Sequence, residues 1–130
     1  MPDQYYSVPP FIIDPRDPRY KRVPLNPRIV CRDGFSMSVQ AQYGCYCIPK
    51  ETNARHTHLE CGFPSSIPLT EELRQHIECH EMYDRETGEE RTDFTLEELY
   101  TKSVYPHVPR HVIEKEFALH GGIVQGRIPY

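Results

Sequence analysis

The stretch that decides the fold is "FSMSVQAQY", residues 35–43. Phe35, Met37, Val39, Ala41 and Tyr43 alternate with Ser36, Ser38, Gln40 and Gln42. A strict period of two is the pattern of a strand with one buried face and one wet face. Upstream, "RIVC" (28–31) reads as a short strand. "RDG" (32–34) supplies the turn between the two, because Asp-Gly accepts the positive φ that tight hairpins need. Downstream, "CYCI" (45–48) continues as a strand until Pro49 stops it, and "PKETNA" (49–54) is a loop. "THLECGF" (57–63) is the next strand, with Leu59, Cys61 and Phe63 on one side and His58 and Glu60 on the other.

Helices follow the strands. "LTEELRQHIECHEM" (69–82) reads as a helix with Thr70 at its N-cap, Glu71 and Glu72 in the first turn, and Leu69, Leu73 and Ile77 as its apolar stripe. "DRETGEERTD" (84–93) is a charged loop. "TLEELYTK" (95–102) is a short helix opened by a Thr95/Glu98 capping box. "VYPHVP" (104–109) is extended. The last helix follows, with Pro109 at its first position, Val112, Ile113 and Phe117 buried, and Gly121 ending it. Strands first and helices after imply an α+β fold: a small antiparallel meander of three or four strands with two or three helices packed on one face.

Proline sets off the leader. Seven of the thirteen prolines fall in residues 1–28, which read as a Pro-rich N-terminal arm before a single α+β domain spanning 29–130. Tyr5, Tyr6, Phe11, Ile12, Ile13 and Tyr20 give this arm apolar anchors, so it is expected to lie across its own core or on a partner.

A chain of 130 residues with 38% hydrophobic and 26% charged residues has a globular composition. No apolar run approaches the roughly 18 residues of a membrane span. The N-terminus carries neither a basic nor an apolar signal region, so a cytoplasmic location is expected. Five cysteines, an odd number, are expected to be reduced thiols that pack as small hydrophobes. Net charge is -4, and it is unevenly spread. Residues 71–98 carry eleven carboxylates against Arg74, Arg85 and Arg91. That balance argues against nucleic-acid binding, which needs a basic face. Within the acidic segment 70–102, Glu78, Glu81, Asp84, Glu86, Glu89, Glu90 and Asp93 are the candidate partner-binding residues, facing a basic protein surface. The plainer reading is a solvated helical face and a loop.

Two clusters suggest metal chemistry. If the strand at 43–48 pairs with 56–62, a register placing Cys47 opposite His56 also places Cys45 opposite His58. The four side chains then make a zinc set, although C-x-C along a strand is not the usual zinc knuckle. The plainer reading makes Cys45 and Cys47 edge or solvent-side residues and His56 and His58 ordinary polar positions. His76, Cys79 and His80 share one helical face, but the H-E-x-x-H order is absent. There is no G-x-S-x-G, P-loop or G-x-G-x-x-G motif, and no enzyme activity or cofactor is expected.

"RDGFSMSVQAQYGCYCIP" (32–49), "LECGFPS" (59–65) and "VYPHVPRHVIEKEFALHGG" (104–122) together resemble a group of small proteins encoded by bacteriophages and prophages. The matched positions include Gly34, Met37, Val39, Gly62, Pro64, Pro109 and Gly121. The resemblance implies a shared fold and a phage context. In that context the leading expectation is a non-catalytic binding protein that inhibits or redirects a host protein, such as an anti-CRISPR-like anti-defence inhibitor. The alternatives are a sponge for a nucleotide signal, a phage structural component or a small zinc-binding protein. A homo-oligomer is compatible with each.

Overall fold

The computed structural model describes residues 23–52 and 54–130. The anchors expected in the arm before Val23 lie outside the described residues. The architecture is α+β. A five-stranded antiparallel sheet has the order β6-β3-β2-β1-β7, and a separate two-stranded ribbon pairs Met82–Tyr83 (β4) with Glu90–Arg91 (β5). The strands of the large sheet are β1 (Ile29–Cys31), β2 (Ser36–Gln40), β3 (His58–Gly62), β6 (Val104–Pro109) and β7 (Ile123–Gln125). The helices are α1 (Glu71–Arg74), α2 (Leu96–Thr101) and α3 (Arg110–Leu119).

The β1–β2 hairpin is the one the alternation foretells. Ile29 pairs with Met37 and Val30 with Ser36. Gly34 takes φ +94, Gly34 N–H donates to Cys31 O at 3.0 Å, and Asp33 Oδ1 accepts from Phe35 N–H at 2.9 Å. Ile29, Cys31, Met37, Val39, Leu59, Cys61, Tyr105 and Val108 bury one sheet face together with Leu73, Leu99, Val112, Ile113 and Phe117 from the helices. Each large side chain removed from water there contributes about 1.5–3 kcal/mol. β6 carries Pro106 and Pro109 and lies at the sheet edge, where a missing N–H costs no ladder bond. α3 follows it directly, burying Val112, Ile113 and Phe117 as expected, with Glu116 beside them. Gly121 takes φ +88 after the helix, where a Cβ would come within 3.0 Å of Arg32 Cβ.

Several expectations are corrected. The helix over 69–82 is cut to Glu71–Arg74: Thr70 caps it, but Leu69 is exposed, and Glu78 N–H donates to Val104 O at 2.9 Å instead of continuing the helix. The positions one further helical turn on are His80 and Glu81, which have no apolar surface to bury, so the chain leaves the helix and Glu78 bonds to β6 instead. His76, Cys79 and His80 therefore do not share a helical face.

The alternating strand ends at Gln40, and 45–48 contributes only an isolated bridge, Ile48 to His58. Gln40 and Gln42 are buried rather than wet. Gln42 Oε1 accepts from Val23 N–H at 3.1 Å and Gln42 Nε2 donates to Val23 O at 3.0 Å. Gln40 does the same for Asn26, at 2.8 and 2.9 Å. Two side-chain amides thus act as short strand edges that hold residues 23–26 across the outer face.

Phe63, expected beside Leu59 and Cys61, is 50% exposed, because its φ of +51 ends the alternation. Finally, β7 adds an edge strand the pattern does not foretell; its side chains are exposed and only its backbone pairing with β1 defines it.

Candidate functional site

The acidic segment does not form the expected loop. It folds into a hairpin of β4 (Met82–Tyr83) and β5 (Glu90–Arg91), with Met82 opposite Arg91 and Tyr83 opposite Glu90. Asp84 builds the turn: its Oδ1 accepts from Glu86 N–H at 2.8 Å and Thr87 N–H at 3.0 Å. Asp84 N–H donates to Glu89 O at 2.8 Å. The Thr87 and Glu86 amides hold the Asp84 carboxyl below the usual carboxylate range, so the turn former is charged at neutral pH. Gly88 sits at φ +74, where a side chain would be strained.

The ribbon is anchored on one side. Met82 packs against the main core. Arg91 makes a two-pronged pair with Glu98 of α2, at 3.1 and 3.2 Å, and Glu98 also accepts from Lys102 at 3.1 Å. Those contacts lower the Glu98 carboxyl, with Arg91 the larger cause. Thr95 caps α2 as foretold, accepting from Glu98 N–H at 3.0 Å. The Glu98 side chain departs from the capping box, since it points to the arginine and lysine.

Glu78, Glu81, Asp84, Glu86, Glu89, Glu90 and Asp93 are all exposed. They do not all have the same task. Asp84 is a turn cap, Asp93 pairs with Arg91 at 3.4 Å, and Glu81 accepts from the Cys79 thiol at 2.9 Å. Glu86, Glu89 and Glu90, together with the exposed ring of Tyr83, stand at the free end. Arg85 is the other cation on the hairpin beside Arg91.

The proposed zinc set is not assembled. The bridge pairs Ile48 with His58, whereas the expected register needed Cys45 opposite His58. That three-residue offset turns alternate side chains to the other face. Cys47 is fully buried, its thiol directed to the Gln42 and Pro49 carbonyls at 3.5 and 3.4 Å. Burial, and then Cys45, push the Cys47 thiol up to about 12, which keeps it from being a thiolate at neutral pH. His56 is buried too, with Nδ1 facing the Tyr130 carbonyl and Nε2 2.8 Å from the Glu51 carbonyl, so both ring nitrogens are committed. His58 Nδ1 lies 2.8 Å from Thr57 Oγ1. Among the described residues, no three His, Cys, Asp or Glu side chains converge to hold a metal ion. Cys45, Cys47 and His56 are thus packed interior rather than solvent-side residues.

A second polar centre was not legible. Glu116, fully buried on α3, accepts from Leu69 N–H at 2.8 Å, Thr70 N–H at 3.0 Å and Thr70 Oγ1 at 2.8 Å, and its Oε2 lies 2.7 Å from His120 Nε2. His120 Nδ1 lies 2.7 Å from Asp33 Oδ2, and the imidazole stacks on Phe35 at 3.8 Å. This chain ties the β1–β2 turn, α1 and α3 together. The i, i+4 spacing of Glu116 and His120 was a readable signal, but nothing in the sequence says that this face is interior.

No family model, no curated protein and no solved structure matches the chain. Among the described residues, no helix is long and apolar enough to cross a membrane.

Proposed function

We propose that the chain is a small non-catalytic binding protein whose acidic hairpin docks on a basic surface of a partner protein. In the phage context that the resemblance implies, the partner is a host protein, and the role is inhibition or redirection of host defence in the manner of an anti-CRISPR, within the host cytoplasm. One observation carries the reading: exposed carboxylates concentrate on a hairpin that is fixed to the core by Met82 and Arg91. A fixed ribbon presents its charge with little ordering cost on binding, and a one-signed surface speeds encounter with an opposite one.

Affinity purification of the tagged protein from its host, followed by mass spectrometry, identifies the partner. Replacing Glu86, Glu89 and Glu90 together by Lys should then weaken capture strongly and remove its salt dependence. Capture by the triple variant equal to wild type at moderate salt overturns the reading.

A further inference from the structure

A second feature lies away from the acidic hairpin. An open groove of about 540 Å³ runs between the bend after β3 and α2. One wall is the bend, with Phe63, Pro64 and Ser65; the other is α2 with its flanks, including Glu97 and Lys102, and Arg28 closes one side. We propose that this groove binds a phosphate-bearing nucleotide, independently of the acidic hairpin.

Phe63 is the first reason. A bulky residue in left-handed backbone is an outlier that persists only where its surroundings over-determine it. Here they do. Phe63 N–H donates to Ser103 O at 2.9 Å, and Arg28 Nη2 donates to Phe63 O. Ser65 and Ser36 exchange two hydrogen bonds, at 2.8 and 2.9 Å. The result places a half-exposed aromatic ring in the groove wall instead of in the core beside Leu59 and Cys61. An exposed ring carried on a fixed backbone in a groove wall offers a stacking platform for a nucleobase.

Charge is the second reason. Among the described residues, no carboxylate pairs with Arg28. Its Nε donates to Ser36 Oγ at 2.8 Å and its Nη2 to backbone carbonyls, while Nη1 makes no described hydrogen bond. A guanidinium held in place with donors to spare suits a phosphate oxygen. Lys102 lines the same groove, its ammonium held at 3.1 Å from Glu98 on an exposed side chain. Arg91, outside the groove, already pairs with Glu98 through two nitrogens at 3.1 and 3.2 Å, so the Glu98 charge is offset without Lys102. Glu97, exposed at the rim, is an acceptor for ribose hydroxyls, the use dinucleotide sites make of an acidic residue. Base, sugar and phosphate thus each find a matching group within one cleft of nucleotide size.

Isothermal titration calorimetry on the full chain tests this. The probes are AMP, ATP and a cyclic dinucleotide, with adenosine standing for the base-and-ribose half and inorganic pyrophosphate for the charged phosphate half. At least one nucleotide should bind saturably and about tenfold or more tighter than either half. Phe63→Gly should raise its Kd about tenfold or more while the melting temperature holds or rises, since glycine relieves the left-handed strain and a half-exposed ring leaves no core cavity. Lys102→Ala should weaken nucleotides and leave adenosine unchanged. The triple lysine hairpin variant should bind nucleotide as wild type does, which separates this site from partner docking. Absence of saturable binding by all three nucleotides up to millimolar concentration overturns the proposal. So does a Kd unaffected by Phe63→Gly, or pyrophosphate binding as tightly as the nucleotides.

Discussion

Glu116 Oε2 lies 2.7 Å from His120 Nε2, in a part of the molecule where the two residues are 0% and 4% exposed. The carboxylate is a hub rather than a simple ion-pair partner, because Leu69 and Thr70 also donate to it. Removing the acceptor at the centre of a buried hydrogen-bonded cluster leaves the other members desolvated and unmatched. Glu116→Ala should therefore lower the unfolding free energy by about 3 kcal/mol or more, read from urea denaturation at neutral pH. A loss below about 1 kcal/mol, the scale of one ordinary hydrogen bond, would show that the hub is not a stabilising centre.

Asp33 sets a pH dependence on the other side of the same imidazole. The Phe35 N–H first, and His120 next, hold its carboxyl below the usual range. The folded protein therefore favours ionised Asp33 more than the unfolded chain does. That stability is fully present above the unfolded value of about 3.9 and is lost as pH falls through the lower folded value. Asp33→Asn should flatten this acid limb in melting curves taken between about pH 2 and 6. An acid limb of unchanged steepness in the variant would contradict the assignment.

The glutamine clamps should be visible in amide exchange. The Val23 and Asn26 N–H groups donate to Gln42 and Gln40 side chains, not to a backbone ladder. Gln42→Ala should deprotect Val23 while Asn26 stays protected, and Gln40→Ala should do the reverse. Each substitution should cost about 1–3 kcal/mol, since it leaves backbone groups without their partners. Protection of Val23 that survives Gln42→Ala would mean that another contact holds the segment.

Thiol labelling separates interior from surface cysteine. Cys31, Cys47 and Cys61 are at most 1% exposed, and burial raises all three thiols. Cys79 is partly exposed, although its bond to Glu81 also raises its pKa. A maleimide at neutral pH should modify Cys79 first in the native protein, with the remaining four reacting only after denaturation. Cys47 labelled as fast as Cys79 would place it back on the surface.

Local chemistry was readable wherever one short-range rule had no competitor. The 35–39 alternation, the Asp33-Gly34 turn, the Thr70 and Thr95 caps and the apolar face of α3 are all encoded by residues within a few positions of one another. Tertiary structure decided what depends on distant surfaces. Gln40 and Gln42 look solvent-facing until residues 23–26 cover them. α1 stops after Arg74 because Glu78 finds a carbonyl on β6. Cys45 and His56 are both interior but not in the expected register, because the Ile48–His58 bridge sets a pairing no local pattern contains. Phe63 lies on the surface because Ser103, Ser65 and Arg28 fix a backbone angle that its own side chain disfavours. Periodicity records which side chains one element can bury; only contact between elements determines which surface is covered, and by what.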